Sequence, residues 1–575
     1  MTNIELASLF YEMAEIYQIK GVDWKPQAYI RAAQNIEALP KDVQDIYEKG
    51  GKKALKEIPG VGGGIAKKII EYINKGKINE LERLKKSIPK SMTQMLSVPG
   101  VGPKTVKILS KKLKIRTIDQ LMNAAKKQMI RRLEGFDEKT EKNIIKSIEL
   151  IKNKKERQLL GLIFPLAHNI ERELRKQWFV EKVEIGGSIR RGKETVKDID
   201  ILVVSKYPKK VMDYFSQLKT IAKINAQGDT KCSAILSNLI QIDLRVVKKE
   251  SFGAALQYFT GNKQHNIQLR EIAIQKRYKL NEYGLFTKKD NKLVAGAKEK
   301  DVYNKLGLKY IPPELRHGTG EIEFARKGKL PNLIKETDIK GDLHVHSTYS
   351  DGENTVFEMA QAAKDLNYQY ICITDHSPML KVFGGMEEDD VSKKVKEVKR
   401  IDKKLRGIKV LCGTEVDIKS DGSLDYDEKT LKKFDIVVAS VHRGFNYSKQ
   451  KNTKRLIKVL ENKHVHILGH PQGRILGKRT GIEVDWDQIF EVAKQKNKVM
   501  EINGQPKRLD LNATLTKLAI EKGVKLCINT DSHTAYGLKA MRLGVLQARR
   551  GWAEKKDIIN TKSWKELSTS LKLSR

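Results

Sequence analysis

GDLHVHSTYSDG, residues 341–352, ends a short apolar run with two imidazoles two positions apart, His344 and His346, and sets Asp351 five positions further on. Six more apolar runs follow: YICITDHS (370–377), KVLCGTEV (409–416), FDIVVASVHRG (434–444), VHILGHP (465–471), VMEING (499–504) and VKLCINTDSH (524–533). Lys/Glu-rich amphipathic segments of helix length separate them. Uninterrupted apolar runs alternating with such segments are what a parallel βα array requires, because its strands are covered on both faces. The expected fold of residues 338–575 is therefore a (β/α)7-type barrel, closed or nearly so. In six of the seven runs a ligand-type residue stands at the C-terminal edge, where βα barrels place their chemistry. The set is His344, His346, Asp351, His376, Glu415, His442, His470, Asp531 and His533. Imidazole plus carboxylate without thiolate suits Zn²⁺, Mn²⁺ or Fe²⁺. Nine ligands exceed the needs of one ion, so two or three are expected, with Glu415 as a bridge. One buried histidine is more often a satisfied core residue. Six at strand ends, in HxH and DxH pairs, are hard to explain that way.

Upstream, YIPPELRHGTGEIEFARKGKLPNL (310–333) breaks the periodicity, and 318–337 is expected to be a linker. Before it lies GGSIRRGKETVKDIDILVV (186–204). Asp198 and Asp200 alternate with Ile199, Ile201 and Val203, so on a strand the carboxylates share one face and the aliphatics face a core. Neighbouring carboxylates repel, an arrangement that divalent cations relieve. A third, Asp243 in LIQIDLRVV (239–247), completes a set suited to two Mg²⁺ ions (or Mn²⁺) about 3.5–4 Å apart. Gly186, Gly187 and Ser188 offer an amide-lined turn for phosphates, with Arg190 and Arg191 as guanidinium donors. A solvated Asp pair on an edge strand is the plainer reading of DxD alone.

Residues 1–150 read as helices joined by Gly/Pro turns. IPGVGGGIAKKII (58–70) and VPGVGPKTVKIL (98–109) repeat one pattern 40 residues apart, and LEGFDEKTEKNII (133–145) is a degenerate third copy. Gly60, Gly62, Gly64, Gly100 and Gly102 would free backbone amides at a helix start, where an anion is favoured. Lys68 and Lys104 add charge just behind. The whole chain is basic: 111 Lys plus Arg against 71 Asp plus Glu give +40 over 575 residues. The excess runs through both halves, which suits a long polyanion tracked by several domains; a Lys-rich solvated surface is the alternative. With 39% hydrophobic residues, wholesale disorder is excluded, and about four structural units are expected. No run approaches the ~18 apolar residues of a membrane helix, the N-terminus lacks the order of a secretory signal, and Cys232, Cys372, Cys412 and Cys527 read as buried thiols of a cytoplasmic protein.

Resemblances to known families follow from these motifs. The glycine turns resemble helix-hairpin-helix motifs, which grip DNA backbone regardless of sequence. GGS, RRG, DxD and the later strand Asp resemble the nucleotidyltransferase palm. YFTGN (258–262), Asn266 with Arg270, and NEYGLF (281–286) then resemble family X DNA polymerases rather than tailing enzymes. That resemblance implies catalysis by Asp198, Asp200 and Asp243. It implies nucleotide binding by Gly187, Ser188, Arg191, Tyr258, Phe259, Gly261, Asn266 and Arg270. WKPQAYIRAAQNI (24–36) resembles the same family's small helical domain, in which Lys68 would be the lyase nucleophile, although Gly64 replaces a second lysine. The barrel resembles the polymerase and histidinol phosphatase (PHP) domain, with Arg443, Arg474 and Arg508 as further phosphate contacts.

The implied domains are 1–80 and 81–150 (DNA-binding, helical), 151–250 (palm), 251–317 (nucleotide selection), 318–337 (linker) and 338–575 (PHP). The implied protein is a cytoplasmic, nucleoid-associated monomer that fills short gaps in DNA repair. Its substrates would be gapped or primed double-stranded DNA and dNTPs, and its barrel a 3′–5′ exonuclease also able to cut at abasic sites. A hydrolase with a vestigial palm, a DNA-binding scaffold with idle sites, and a small-molecule phosphatase are the competing readings.

Overall fold

The computed structural model describes residues 3–22, 24–39, 43–96, 98, 101–152, 157–571 and 573. Two compact units emerge, residues 1–157 with 228–230, and the remainder. The secondary structure of the first unit is helical among its described residues, from Asn3–Lys20 to Glu138–Lys152. Its helices each bury one stripe; in Gly63–Lys75 the stripe is Ile65, Ala66 and Ile69. These stripes meet in one core around Phe10, Met13, Ile36, Leu55 and Leu109.

The second unit contains the sheet expected as the palm, a smaller subdomain that follows it, and the barrel. The palm sheet runs Lys182–Ile185, Asp198–Val204, Gln241–Val247, Lys231–Leu236, Ile221–Gln227, and only the second and third of these are parallel. Alternation along Asp198–Val204 decides both faces. Ile199, Ile201 and Val203 join the core beneath helices Leu160–Arg175 and Pro208–Ser216. Leu202 and Val204 face the other way, against Phe252, Ala255 and Leu256 of helix Phe252–Thr260. Asp198 and Asp200 have the parity of Leu202 and Val204, so they extend the face on which that helix lies.

The barrel is seven parallel strands in chain order: Gly341–Val345, Tyr370–Ile373, Lys409–Asp417, Ile436–Ser440, Ile467–Leu468, Val499–Asn503 and Lys525–Asn529. The last returns to the first through a parallel bridge from Val345 to Ser532, with Asp531 N donating to His344 O at 2.9 Å. Leu411, Ile436, Val438, Ile467 and Val499 fill the N-terminal end of the barrel together with Ile559 and Leu567. The stretch 318–337 is packed rather than a free connector. It carries helix Glu321–Arg326, buries Ile322, Ala325 and Ile334, and sets Glu321 Oε1 2.7 Å from His265 Nδ1. All four cysteines are buried and unpaired by disulfide. Among the described residues, no helix is long and apolar enough to cross a membrane.

Two candidate active sites

The barrel's strands end at different heights but deliver their side chains to one point. His344 lies in the first strand and His346 just beyond it; Glu415 is inside the third; His442, His470 and Asp531 each follow a strand end by two residues. Glu415 is the hub. Its carboxylate oxygens lie 2.8 Å from His470 Nε2, 3.0 Å from His376 Nδ1, 3.4 Å from His344 Nε2 and His442 Nε2, and 3.5 Å from His346 Nε2. Around it three groups overlap, with donor atoms within 4.8 Å of one another: His346, Asp351, His376 and His533; His344, His346, Glu415 and Asp531; His376, Glu415 and His442. Every one of the nine residues singled out by spacing is in this cluster or, for His470, bonded to its hub.

The electrostatics suit cations. His344 Nε2, both ring nitrogens of His346, and Glu415 Oε2 are buried with no hydrogen-bond partner, a cost normally borne only where another group completes them. Burial, then His376 and His533, lower His346 to about 4, which keeps its lone pairs available. Burial works against charge on Glu415, yet His344, His376 and His442 hold it well below the usual carboxylate range. His442 and His533 rise to about 9 despite burial, the first through Glu415 and Asp417, the second through Asp351 and Asp531. The donor set therefore fits two or three divalent ions, which would take the place of those protons.

Spacing did not reveal the residues that aim these ligands. Glu501 Oε1 lies 2.8 Å from His344 Nδ1, while its Oε2 accepts from His470 N at 2.6 Å. Asp417 holds His442 Nδ1 at 2.7 Å. Such carboxylate–imidazole pairs fix the ring and its tautomer. Asp375 accepts from Ser347 N at 2.6 Å and is ion-paired at 2.8 Å with the fully buried Lys394, which braces the turn between His346 and Asp351. The faint signals were a second acid two positions after Glu415 and a lone acid in VMEING. Of the three arginines, Arg508 places Nε 3.4 Å from Asp531 Oδ2. Arg443 donates to Met379 O at 2.6 Å. Arg474 takes other partners, reaching Glu194 of the palm at 2.8 Å.

In the palm, Asp200 and Asp243 are register partners on adjacent parallel strands, and Gln241 Nε2 donates to Asp243 Oδ2 at 2.9 Å. Burial, then the charges of Asp198 and Asp243, push Asp200 up to about 7. Gly187 has φ +60°, and a Cβ there would collide with Asp200 Oδ2, so only glycine fits. Ser188 Oγ is buried without a partner beside it. Arg191 donates to Thr260 O in the YFTG turn. Arg190 is committed to structure, ion-paired at 2.8 Å with Glu299. Tyr258 and Phe259 meet edge to face at 5.1 Å, and Arg245 lies over the Phe259 ring. Gly261 ends that helix with φ +62°. Asn266 braces the turn, donating to Tyr258 O at 2.8 Å and accepting from Gln257 at 2.7 Å, with Arg270 one helical turn further on.

The glycine turns repeat bond for bond. Val61 N donates to Ile58 O and Ala66 N to Gly62 O; Val101 N donates to Val98 O and Val106 N to Gly102 O, all at 2.9 Å. Gly100 lies outside the described residues. Gly60, Gly62, Gly64, Gly102 and Lys104 are exposed. The degenerate copy shares this geometry, with Phe136 N to Leu133 O, Glu141 N to Asp137 O, and Gly135 at φ +83° against +81° at Gly60. There the position of Gly62 is Asp137, whose carboxylate accepts from Thr140 N at 2.7 Å and so occupies its own helix start. Lys68 Nζ lies 2.9 Å from Glu80 Oε2 and 5.8 Å from the Tyr29 ring centre.

Comparison with known proteins matches these parts in the same order. Residues 1–78 match the helix-hairpin-helix domain family, 92–149 the SAM-like helix-hairpin-helix tandem, 168–271 the nucleotidyltransferase domain, 255–317 the DNA polymerase beta thumb and 342–505 the PHP domain. The chain is 37% identical over 571 residues to the DNA polymerase/3′-5′ exonuclease PolX of Bacillus subtilis (strain 168), covering 99% of both. Its barrel alone is similar to smaller proteins. One of them, named "Probable phosphatase", from Thermoanaerobacter sp. (strain X514), is 33% identical over 213 residues, 34% of this chain and 79% of that protein. Another of the same name from Photobacterium profundum is 30% identical over 205 residues, 34% of this chain and 78% of that protein. Whole-length identity together with both ligand sets makes this chain a member of the family X DNA polymerases that carry a C-terminal PHP domain.

Proposed function

We propose that the chain is a DNA polymerase that fills short gaps during repair and trims 3′ ends with its PHP barrel, acting in the cytoplasm on the nucleoid. The observation that supports this most is the completeness of both ligand sets in one polypeptide. The substrates are dNTPs and gapped or primed duplex DNA. Divalent ions, Mg²⁺ or Mn²⁺ in the palm and Mn²⁺, Zn²⁺ or Fe²⁺ in the barrel, supply positive charge at the reacting phosphorus and acidify the attacking hydroxyl or water.

During synthesis the primer 3′-oxygen bonds to the α-phosphorus and pyrophosphate leaves. Asp198 and Asp200 would hold both ions, Asp243 would bind the catalytic one and take or orient the 3′-hydroxyl proton, and the turn from Tyr258 to Gly261 would pack the incoming sugar. Gly187 and Ser188 receive the triphosphate beside Arg191. In the barrel, hydrolysis breaks the P–O3′ bond. The water oxygen stays on the released 5′-mononucleotide, a proton goes to the departing 3′-oxygen, and Arg508 donates to a non-bridging oxygen. The deciding experiment is extension and degradation of a 5′-phosphorylated one-nucleotide gap with Mg²⁺ and Mn²⁺ compared. Failure of either activity in the intact chain would remove the corresponding half of the reading.

Lys68 is set in a pocket with Lys67, Asn74 and Lys75. Its proposed role is contact with a 5′-phosphate, with lyase chemistry, which needs a neutral amine, as the alternative. If the glycine turns hold backbone phosphates, affinity for gapped DNA falls with salt by about 0.9 log unit per contacted phosphate per decade. Equilibrium binding across a salt series measures this, and a flat profile would contradict it.

Asp200 gives a pH dependence. A proton held up to about pH 7 must leave before an ion enters. The Mg²⁺ concentration for half-maximal extension therefore falls as pH rises and levels off above about 7. Below that it changes about tenfold per pH unit for one competing proton. A half-maximal Mg²⁺ that is the same at about pH 6 and about pH 8 would refute it.

A further inference from the structure

The barrel's sixth strand, Val499–Asn503, runs into a loop that carries Arg508. Neither Nε nor Nη1 of Arg508 has a hydrogen-bond partner, although both are buried, and Nε is 3.4 Å from Asp531 Oδ2. The barrel holds one edge of this loop, where Leu511 N donates to Glu501 O at 3.1 Å and Gln472 N donates to Asp510 Oδ1 at 3.1 Å. The palm holds the other. Leu509 is 1% exposed and packs in the palm core with Leu160 and Ile163, beside Leu543 from helix Met541–Arg550. Pro506 abuts Gly161 so closely that a Cβ on that glycine would collide with it. Arg474 fastens the seam by donating to Leu509 O and to Glu194 Oε1, the latter at 2.8 Å; Gln547 donates to the same oxygen at 2.9 Å.

Leu509 has φ +46°. A branched side chain in the left-handed region persists only where its surroundings over-determine it. Palm residues such as Leu160 and Ile163 supply part of those surroundings. Without that contact the leucine would be an apolar group in water on a strained backbone, and relaxation of residue 509 moves residue 508.

We propose that the palm positions Arg508 for the barrel's chemistry, so that the palm–barrel seam sets the rate at which the barrel cleaves a phosphodiester and does more than bring DNA to it. The proposal rests on the barrel being a phosphodiesterase, and the test separates the two. The p-nitrophenyl ester of thymidine 5′-monophosphate is too small to be delivered by DNA contacts and reports chemistry alone. Arg508→Ala and the wedge Gly161→Leu should each lower kcat/KM for this ester by about tenfold, the loss of one charge-assisted hydrogen bond. Metal content should be unchanged, and the double variant no worse than either single one, as coupled sites require. Glu194→Gln, a gentler loosening, should lower it about threefold. Gap extension by both palm-side variants should stay within about twofold of wild type, which also shows that they fold. Wild-type ester hydrolysis in Gly161→Leu and Glu194→Gln alongside loss in Arg508→Ala would overturn the proposal, as would additive losses in the double variant. An intact chain that cleaves neither the ester nor a DNA 3′ end would instead overturn the phosphodiesterase reading.

Discussion

Asp198→Ala combined with Asp200→Ala abolishes nucleotide addition, by more than about a thousandfold, and leaves degradation of a DNA 3′ end at its wild-type rate. The size follows from removing two of the three carboxylates proposed to hold the ions, which costs more than loss of a single transition-state donor. The selectivity follows from where the side chains point. Ile199, Ile201 and Val203 keep their places in the palm core, so the strand survives the change. Stability moves in an unusual direction. Asp200 in the folded chain is raised to about 7 by burial, Asp198 and Asp243. A carboxyl raised on folding favours the folded state least above that value, where it is charged in both states, and most at low pH. Removing it should raise the thermal midpoint at about pH 8 in metal-free buffer and have a smaller effect near pH 4. Gap extension by primer gel assay and a melting series check the two halves. Loss of both enzymatic activities would show that the two sites are not separate.

What could be read from the chain and what could not divides along physical range. DIDILVV and GDLHVHS carry their message in two-residue alternation, and the seven apolar runs carry theirs in length. Each is a local constraint that sheet geometry imposes. The glycine turns were legible because positive φ needs glycine, as at Gly60. Residues that aim the ligands were not, because their partners lie far off in sequence. Glu501 is a single acid in an apolar strand until the barrel closes and brings it to His344. Arg474 follows a metal-type histidine by four residues, which suggests phosphate, yet Glu194 claims it from the palm. The passage 318–337 reads as a connector from its Gly and Pro content. Its residues pack on partners far off in sequence, as where Glu321 meets His265, 56 residues away, which no periodicity announces. Asp137 shows the reverse case, where the turn keeps its shape and one side chain fills the anion position.

Substituting His344 and His346 together by alanine has the other large effect. Degradation should fall by more than about a thousandfold, and bound metal by about one ion or more per chain, with gap extension retained. His346 belongs to two of the three donor groups and His344 to one, so a single pair of changes breaks two sites at once. The change also strips countercharge. Burial already opposes ionisation of Glu415 and Asp531; His344 is the largest opposing influence on each and holds both well below the usual carboxylate range. Without it these buried carboxyls take up protons, and a protonated carboxyl competes poorly for an ion, so metal loss should be steeper at about pH 6 than at about pH 8. Metal analysis of the purified variant at both pH values distinguishes this from simple loss of two ligands, which would be independent of pH. Degradation within tenfold of wild type in the double variant would place the nuclease somewhere other than the barrel. Loss of gap extension together with degradation would make the two histidines part of the fold that both sites share.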